Sequence, residues 1–181
     1  FKLMTKAIKK NEKKLPISPM KLFNLLNSNN VNFELYKHCP LYSVSESKVV
    51  QENIFPSDQN SVHIKNLYLR DKKKRNYLIT CEQEKIIDLK TLKETIKSHR
   101  LSFGSSERLY QYLGVFPGAV SPFCMLNGIK NNVNFFCDYD LKKFKTIYLH
   151  PFVNDRTICL DINNLEKFLK KYHISINWIN M

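Results

Sequence analysis

Two alternating runs, VHIKNLYLR (Val62–Arg70) and NYLITC (Asn76–Cys81), stand either side of a short charged stretch, DKKKR. Apolar and polar residues that alternate singly over such lengths fit strands, and a brief polar connection between them fits a hairpin turn. The chain therefore has to fold around at least one antiparallel pair. The alternation also sorts the first strand into two faces. One carries His63, Lys65, Leu67 and Leu69, and the other carries Val62, Ile64, Asn66 and Tyr68. Lys65 is thus in line with two leucines, on a face that reads as buried. An ammonium there is unfavourable unless it is paired, hydrated or turned toward a ligand. A lysine snorkelling at the rim of the sheet is the plainer alternative.

Elsewhere the pattern switches repeatedly between helix and strand. Ser18 and Pro19 open a helix that runs to about Asn27, with Met20, Leu22, Phe23, Leu25 and Leu26 as its apolar stripe. NFELYKH reads as a strand, SESKVVQENI as a short helix capped by Ser45 or Ser47, and LKTLKETIKSH as a helix capped by Asp88. RLSF is a short strand. ERLYQYLG is a helix capped by Ser105 or Ser106 that stops at Gly114. NVNFFCDYD, KTIYLHP, RTICLD and SINWIN read as strands, with the helix NNLEKFLKKYH before the last of them. Without a regular strand–helix–strand rhythm, the expected class is α/β in the α+β sense: a mixed, barrel-like sheet with peripheral helices. The 181 residues suit one domain, expected over 18–181, with residues 1–17 as a basic tail or linker.

The formal net charge is +13. That points to a polyanionic partner, nucleic acid ahead of an anionic membrane surface. Lys72, Lys73, Lys74 and Arg75 in the turn, with Lys142, Lys143 and Lys145, are candidate backbone contacts or simply a solvated face. The five cysteines are odd in number and contain no CxxC pair, so neither a disulfide framework nor a zinc site is expected, and a reducing compartment is. No apolar run approaches the length of a membrane span, and none resembles a secretory leader.

Two further stretches have room for chemistry. GVFPGAVSPF (Gly114–Phe123) is the longest segment without periodicity. Gly118 permits a tight turn and close backbone approach, and the N–H groups of Gly118, Ala119 and Val120 could converge on one oxygen. A purely structural loop fits it equally. In LHPFVND (Leu149–Asp155), His150 ends a strand that Pro151 cannot extend. An isolated histidine is more often a satisfied structural group than a functional one, and no HExxH or GxSxG motif accompanies it. Cys124 reads as a packed thiol rather than a nucleophile.

Taken in order, HIKNLYLRD, IDLKTLK, RLSFGSSERL, LGVFPGAVSPF and LHPFVND resemble the YbaK-like prolyl-tRNA editing family, over about Pro19 to Asn180. HCPLYSVSES resembles an early stretch of that family, with Cys39 where a proline is common. The resemblance is nearest to the free-standing alanyl-tRNA(Pro) deacylases. It implies a trans-editing hydrolase, metal-independent and without cofactor, that cleaves a small wrong amino acid from tRNA(Pro). It further implies Lys65 as the catalytic residue and Asn66 holding the amino-acid end or the adenosine. Gly118, Ala119, Val120, Ser121 and Pro122 would be the loop that grips the aminoacyl carbonyl, with His150 and Asn154 lining the pocket. The attacking water would be activated by the tRNA's own ribose hydroxyl. Cysteine in place of alanine, a domain editing in cis within a prolyl-tRNA synthetase, and a non-catalytic tRNA-binding or regulatory module are the alternatives. A cytoplasmic location is expected from that role, with an organellar stroma or matrix as the alternative, and the synthetase as a second partner.

Overall fold

The hairpin forms as expected. In a computed structural model that describes residues 11–41, 44–56 and 58–181, β2 (Ser61–Asp71) pairs antiparallel with β3 (Asn76–Glu82) in the register Lys65↔Cys81, Asn66↔Thr80 and Leu67↔Ile79. The turn is closed by Asp71. Its buried carboxylate accepts the Arg75 backbone N–H at 3.0 Å, the Arg75 Nε–H at 2.7 Å and the Tyr77 hydroxyl at 3.1 Å.

The other strands are β1 (Glu34–Lys37), β4 (Leu101–Phe103), β5 (Val133–Asp138), β6 (Thr146–Leu149), β7 (Arg156–Asp161) and β8 (Asn177–Ile179). They join in the order β1-β7-β6-β2-β3-β5-β8, with β4 added to β2. The sheet is mixed, because β6 lies parallel to β2, and β5 parallel to both β3 and β8, while the remaining pairs are antiparallel.

Among the described residues, six helices lie around it: α1 (Pro19–Ser28), α2 (Val44–Ile54), α3 (Leu89–Thr95), α4 (Ser106–Leu113), α5 (Met125–Gly128) and α6 (Ile162–Lys171). The caps follow local chemistry. Ser18, Asp88, Ser105 and Asp161 accept N–H groups of the first turns of α1, α3, α4 and α6. Gly114 ends α4 at φ 73°, a conformation in which a Cβ would clash with its own backbone. α2 starts at Val44, so Ser45 and Ser47 lie inside the helix rather than capping it. Among the described residues, no helix is long and apolar enough to cross a membrane.

The two faces of β2 are covered differently. Val62, Ile64 and Tyr68 join the main core with Phe123, Leu149 and Phe168. Leu67 and Leu69 join a smaller core with Ile79, Leu92 and Leu101 under α3. Of the expected basic tail or linker, residues 1–10 lie outside the described residues, and in 11–17 Leu15 and Ile17 pack against the main core.

Candidate active site

β3 covers one edge of β2 from Ile64 to Arg70. On the other edge β6 pairs only with Ser61–His63, and β4 only with Leu69–Asp71. Between them, no strand among the described residues pairs with β2 on that side. The hydrogen bonds fix what faces this gap. Gln83 N–H donates to His63 O at 2.9 Å, and Gly104 N–H donates to Tyr68 O at 3.0 Å. Odd-numbered residues of β2 therefore direct their backbone groups to β3, and even-numbered ones direct theirs to the opposite edge. The backbone of Asn66 faces the gap.

The loop that follows Gly114 closes part of it. Asn66 Nδ2 donates to Val120 O at 2.9 Å, while Thr80 Oγ1 donates to Asn66 Oδ1 at 2.7 Å. A carbonyl can only accept, so the amide's orientation is set. Beside it lies a small pocket with Ile64, Asn66, Val120, His63, His150 and Thr157 in its walls, and an inner volume of about 50 Å³. That is room for a few waters or a methyl-bearing fragment.

Two histidines, His63 and His150, share the polar lining with Gln51, Gln83, Asn66 and Thr157, and His38 stands behind Thr157. His150 Nδ1 lies 2.9 Å from Arg156 O, so Nδ1 carries the proton and Nε2 is left as an acceptor. His38 Nδ1 meets Cys39 O at 2.7 Å in the same way, and its Nε2 accepts the Thr157 hydroxyl at 2.8 Å. His63 stacks on Tyr148 with ring centroids 4.2 Å apart, and Phe55 stands edge-on to both. Burial lowers His150 to about 4, and burial together with the nearby His150 ring lowers His63 to about 4. Burial lowers His38 as well. These imidazoles are neutral at physiological pH.

The expected site residues separate into three groups. Asn66, Val120 and His150 meet at the pocket. Gly118 is exposed, at φ +86°, and an added Cβ there would lie 3.1 Å from the carbonyl of Leu41, itself a pocket residue, and from Asn154 Nδ2. Asn154 itself is buried and donates to Leu41 O at 2.9 Å, so it ties down a neighbouring segment. Ala119, Ser121 and Pro122 are buried within the loop. The Ala119 N–H is spent on Phe116 O at 3.2 Å, so the expected convergence of three loop N–H groups does not form. Cys124 is a packed thiol that accepts the Ser121 N–H at 3.3 Å, and burial raises it to about 12.

Lys65 departs from expectation. Its Cα partner is Cys81, and its face is that of Leu67 and Ile79, opposite to Asn66 and Thr80. Lys65 is partly exposed and is not part of the pocket wall. The leucines beside it mark the minor core, the opposite face carries the main core, and the pocket is walled by Ile64 and Asn66 of that face together with His63.

The surface lysines also divide. Lys72, Lys73 and Lys74 are exposed in the hairpin turn, whereas Arg75 bonds Asp71 at 2.7 Å. Lys143 pairs with Asp140 at 2.6 Å, and Lys142 bridges Glu166 at 3.5 Å and covers the Trp178 ring at 4.5 Å. Lys145 is exposed, its backbone N–H held by Asn60 O at 2.7 Å. Among the described residues, no group of three or more His, Cys, Asp or Glu side chains is placed to hold a metal ion.

Sequence reasoning did not single out His38, His63 or Thr157. His63 and Thr157 lie in strands, where alternation alone assigns a face but not which face meets a cavity. For His38 the signals were its place at the head of HCPLYSVSES, the stretch that resembles the family, and before Pro40, where the chain must leave its strand.

Comparison with known proteins shows the family of the chain. Residues 45–168 match the aminoacyl-tRNA editing domain family. The prolyl-tRNA editing protein ProX of Acetoanaerobium sticklandii is 38% identical over 147 residues, which cover 80% of this chain and 86% of that protein. The prolyl-tRNA synthetase associated domain-containing protein 1 of Mus musculus is 26% identical over 156 residues, covering 77% of this chain and 82% of its own length. The crystal structure of a candidate trans-editing enzyme for prolyl tRNA synthetase superposes with a TM-score of 0.61 at 11% identity, over 90% of this chain and 96% of that one. At that identity the superposition speaks for the fold.

Proposed function

The chain belongs to the aminoacyl-tRNA editing domain family, and from that premise we propose that it is a deacylase of tRNA(Pro) carrying the wrong amino acid, with alanine as its preferred error. The observation that carries this reading is the gap in the β2 ladder. There a strand backbone, an oriented amide and a neutral imidazole surround a pocket of about 50 Å³.

The reaction is ester hydrolysis. Water adds to the aminoacyl carbonyl carbon and the carbonyl electron pair moves onto oxygen; that pair then returns, the bond to the ribose 3′ oxygen breaks, and a proton of the attacking water passes to that oxygen, leaving the free amino acid and a 3′ hydroxyl. In this reading the backbone N–H of Asn66, which faces the gap, stabilises the developing oxyanion. His150 offers Nε2 as an acceptor for the aminoacyl ammonium or for the attacking water. With imidazoles near 4, the side chains that line the pocket supply no strong base at neutral pH, which fits assistance from the substrate's own ribose hydroxyl. Lys65 takes the lip of the gap in this reading. Its flexible ammonium serves the terminal phosphate of the incoming strand rather than the carbonyl.

Selection follows from size. A synthetase pocket shaped for proline excludes alanine by only about 1–3 kcal/mol, because missing methylenes are a weak signal. A smaller second pocket accepts the methyl group and rejects the ring. The free tRNA is the partner and the synthetase is the source of its error, in the reducing compartment where translation runs.

Single-turnover hydrolysis of alanyl-, cysteinyl- and prolyl-tRNA(Pro) tests this. Alanyl-tRNA should be cleaved fastest and prolyl-tRNA spared. A faster cysteinyl reaction would reassign the substrate. Binding of all three without hydrolysis of any would defeat the proposal in favour of a tRNA-binding module.

A further inference from the structure

Residues 11–17 touch two segments that lead into the pocket walls, at Arg156 beside Thr157 and at the start of the loop that carries Val120. Glu12 Oε2 accepts from Arg156 Nη2 at 2.7 Å, between side chains only 28% and 20% exposed. Arg156 also holds Asp155 Oδ1 through Nε at 2.8 Å, and its carbonyl receives the His150 Nδ1–H. Two residues further on, Lys14 O accepts the Tyr110 hydroxyl at 2.7 Å, and the Tyr110 ring stacks on Phe116 at 5.0 Å. Pro16 then backs the start of the loop: a Cβ on Gly114 would come within 3.0 Å of Pro16 Cγ. The segment is thus pinned on one side to the residue that orients His150. On the other it is pinned to the loop whose Val120 carbonyl receives Asn66.

We propose that Asn11–Ile17 is a strap that braces the pocket, and that Glu12 is a positioning residue for His150, acting through Arg156. The proposal rests on the deacylase reading of the pocket. Arg156 is the first residue of β7 and pairs there with Lys37, the last residue of β1. Side-chain anchors therefore matter for where its carbonyl points. A guanidinium held between two carboxylates is fixed in a plane. With Glu12 neutralised it keeps, among the described residues, only its sequence neighbour Asp155 as an ion-pair partner, and the carbonyl that selects the His150 tautomer loses one of its restraints. The ring then has two tautomers to choose from, only one of which presents an acceptor at Nε2.

The test compares full-chain Glu12→Gln and Glu12→Asp with the parent protein by single-turnover hydrolysis of alanyl-tRNA(Pro), tRNA affinity, thermal melting and long-range ¹H–¹⁵N spectra of the His150 ring. Glu12→Gln should react about tenfold more slowly at saturating enzyme, the scale expected when a reacting group is misplaced. Affinity and melting should be nearly unchanged, and the His150 signals should shift from a pure Nδ1–H form toward a mixture. Glu12→Asp should recover much of the rate. A Gln variant with parental rate and spectra overturns the proposal. So does a slower variant with an unaltered His150 tautomer, because the strap would then act on stability alone. If the parent protein cleaves no aminoacyl-tRNA, the deacylase reading falls, and unaltered His150 spectra would still overturn the strap separately.

Discussion

At the scale of single residues, Lys65 and Asn66 are neighbours in sequence with opposite surroundings. The amide of Asn66 joins Thr80 of β3 to Val120 of the loop, so its removal frees the loop and leaves two polar partners without their bond. Asn66→Ala should lower kcat/KM by about a hundredfold and the unfolding free energy by about 1–2 kcal/mol. Lys65→Ala should instead raise KM, lower kcat/KM by about tenfold and leave the melt unchanged, as fits a residue that binds without sharing the transition state. Steady-state kinetics on both variants checks this, and equal losses in kcat alone would put Lys65 back at the reacting atoms. The imidazoles set a second expectation. His63 and His150 take up protons near 6.5 when unfolded and only near 4 when folded. Between those values the unfolded chain holds more protons, so stability falls as pH drops through that window. Chemical denaturation across it should show the slope, and His63→Phe, which preserves a ring against Tyr148, should make it shallower.

At the scale of elements, the hairpin depends on Asp71. Its carboxylate is the buried acceptor for the Tyr77 hydroxyl and for the Arg75 backbone and side chain. Asp71→Ala strands that hydroxyl in the interior, and urea unfolding should show a loss of about 2–3 kcal/mol. This hairpin was also the most legible part of the sequence, because alternation, turn charge and strand length all pointed the same way. The helices capped by Ser18, Asp88 and Ser105 were legible for a similar reason: a cap is a local contract between one side chain and the next turn. The gap in β2 was not legible. It arises because β6 leaves after His63 and β4 arrives at Leu69, and both partners are remote in the chain. The meaning of Lys65 was lost for the same reason. Leu67 and Leu69 mark a core, but only the tertiary arrangement shows that this core is the minor one. The short turns at Pro122–Cys124 and Tyr139–Lys143 carry too few residues to show any period.

At the scale of the whole molecule, the net charge of +13 is unevenly available. Lys72–Lys74 stand free in their turn, while Lys142 and Lys143 are held by Glu166 and Asp140. The two groups lie near opposite ends of β2, an eleven-residue strand that spans roughly 35 Å. The logarithm of tRNA affinity should fall linearly with the logarithm of salt, with a slope of about −0.7 to −0.9 per phosphate neutralised. Replacing Lys72–Lys74 by serine should make that slope shallower, whereas Lys142→Ala and Lys143→Ala should barely change it. Filter binding over a salt series decides between them. The same strand has a bearing on how the molecule assembles. β2 belongs to both halves of the sheet, and its joint with β6 has only three residue pairs. The partners that open that joint, Ser61 and Thr146, are 85 residues apart in the chain. Closing so long a loop for so few bonds is entropically unfavourable, and contacts of this kind slow folding. The hairpin can zip early from its own turn, but the seam has to wait for nearly half the chain to be in place. The pocket lies where that seam ends, so a partly folded chain can own the hairpin and still have no place to bind a substrate.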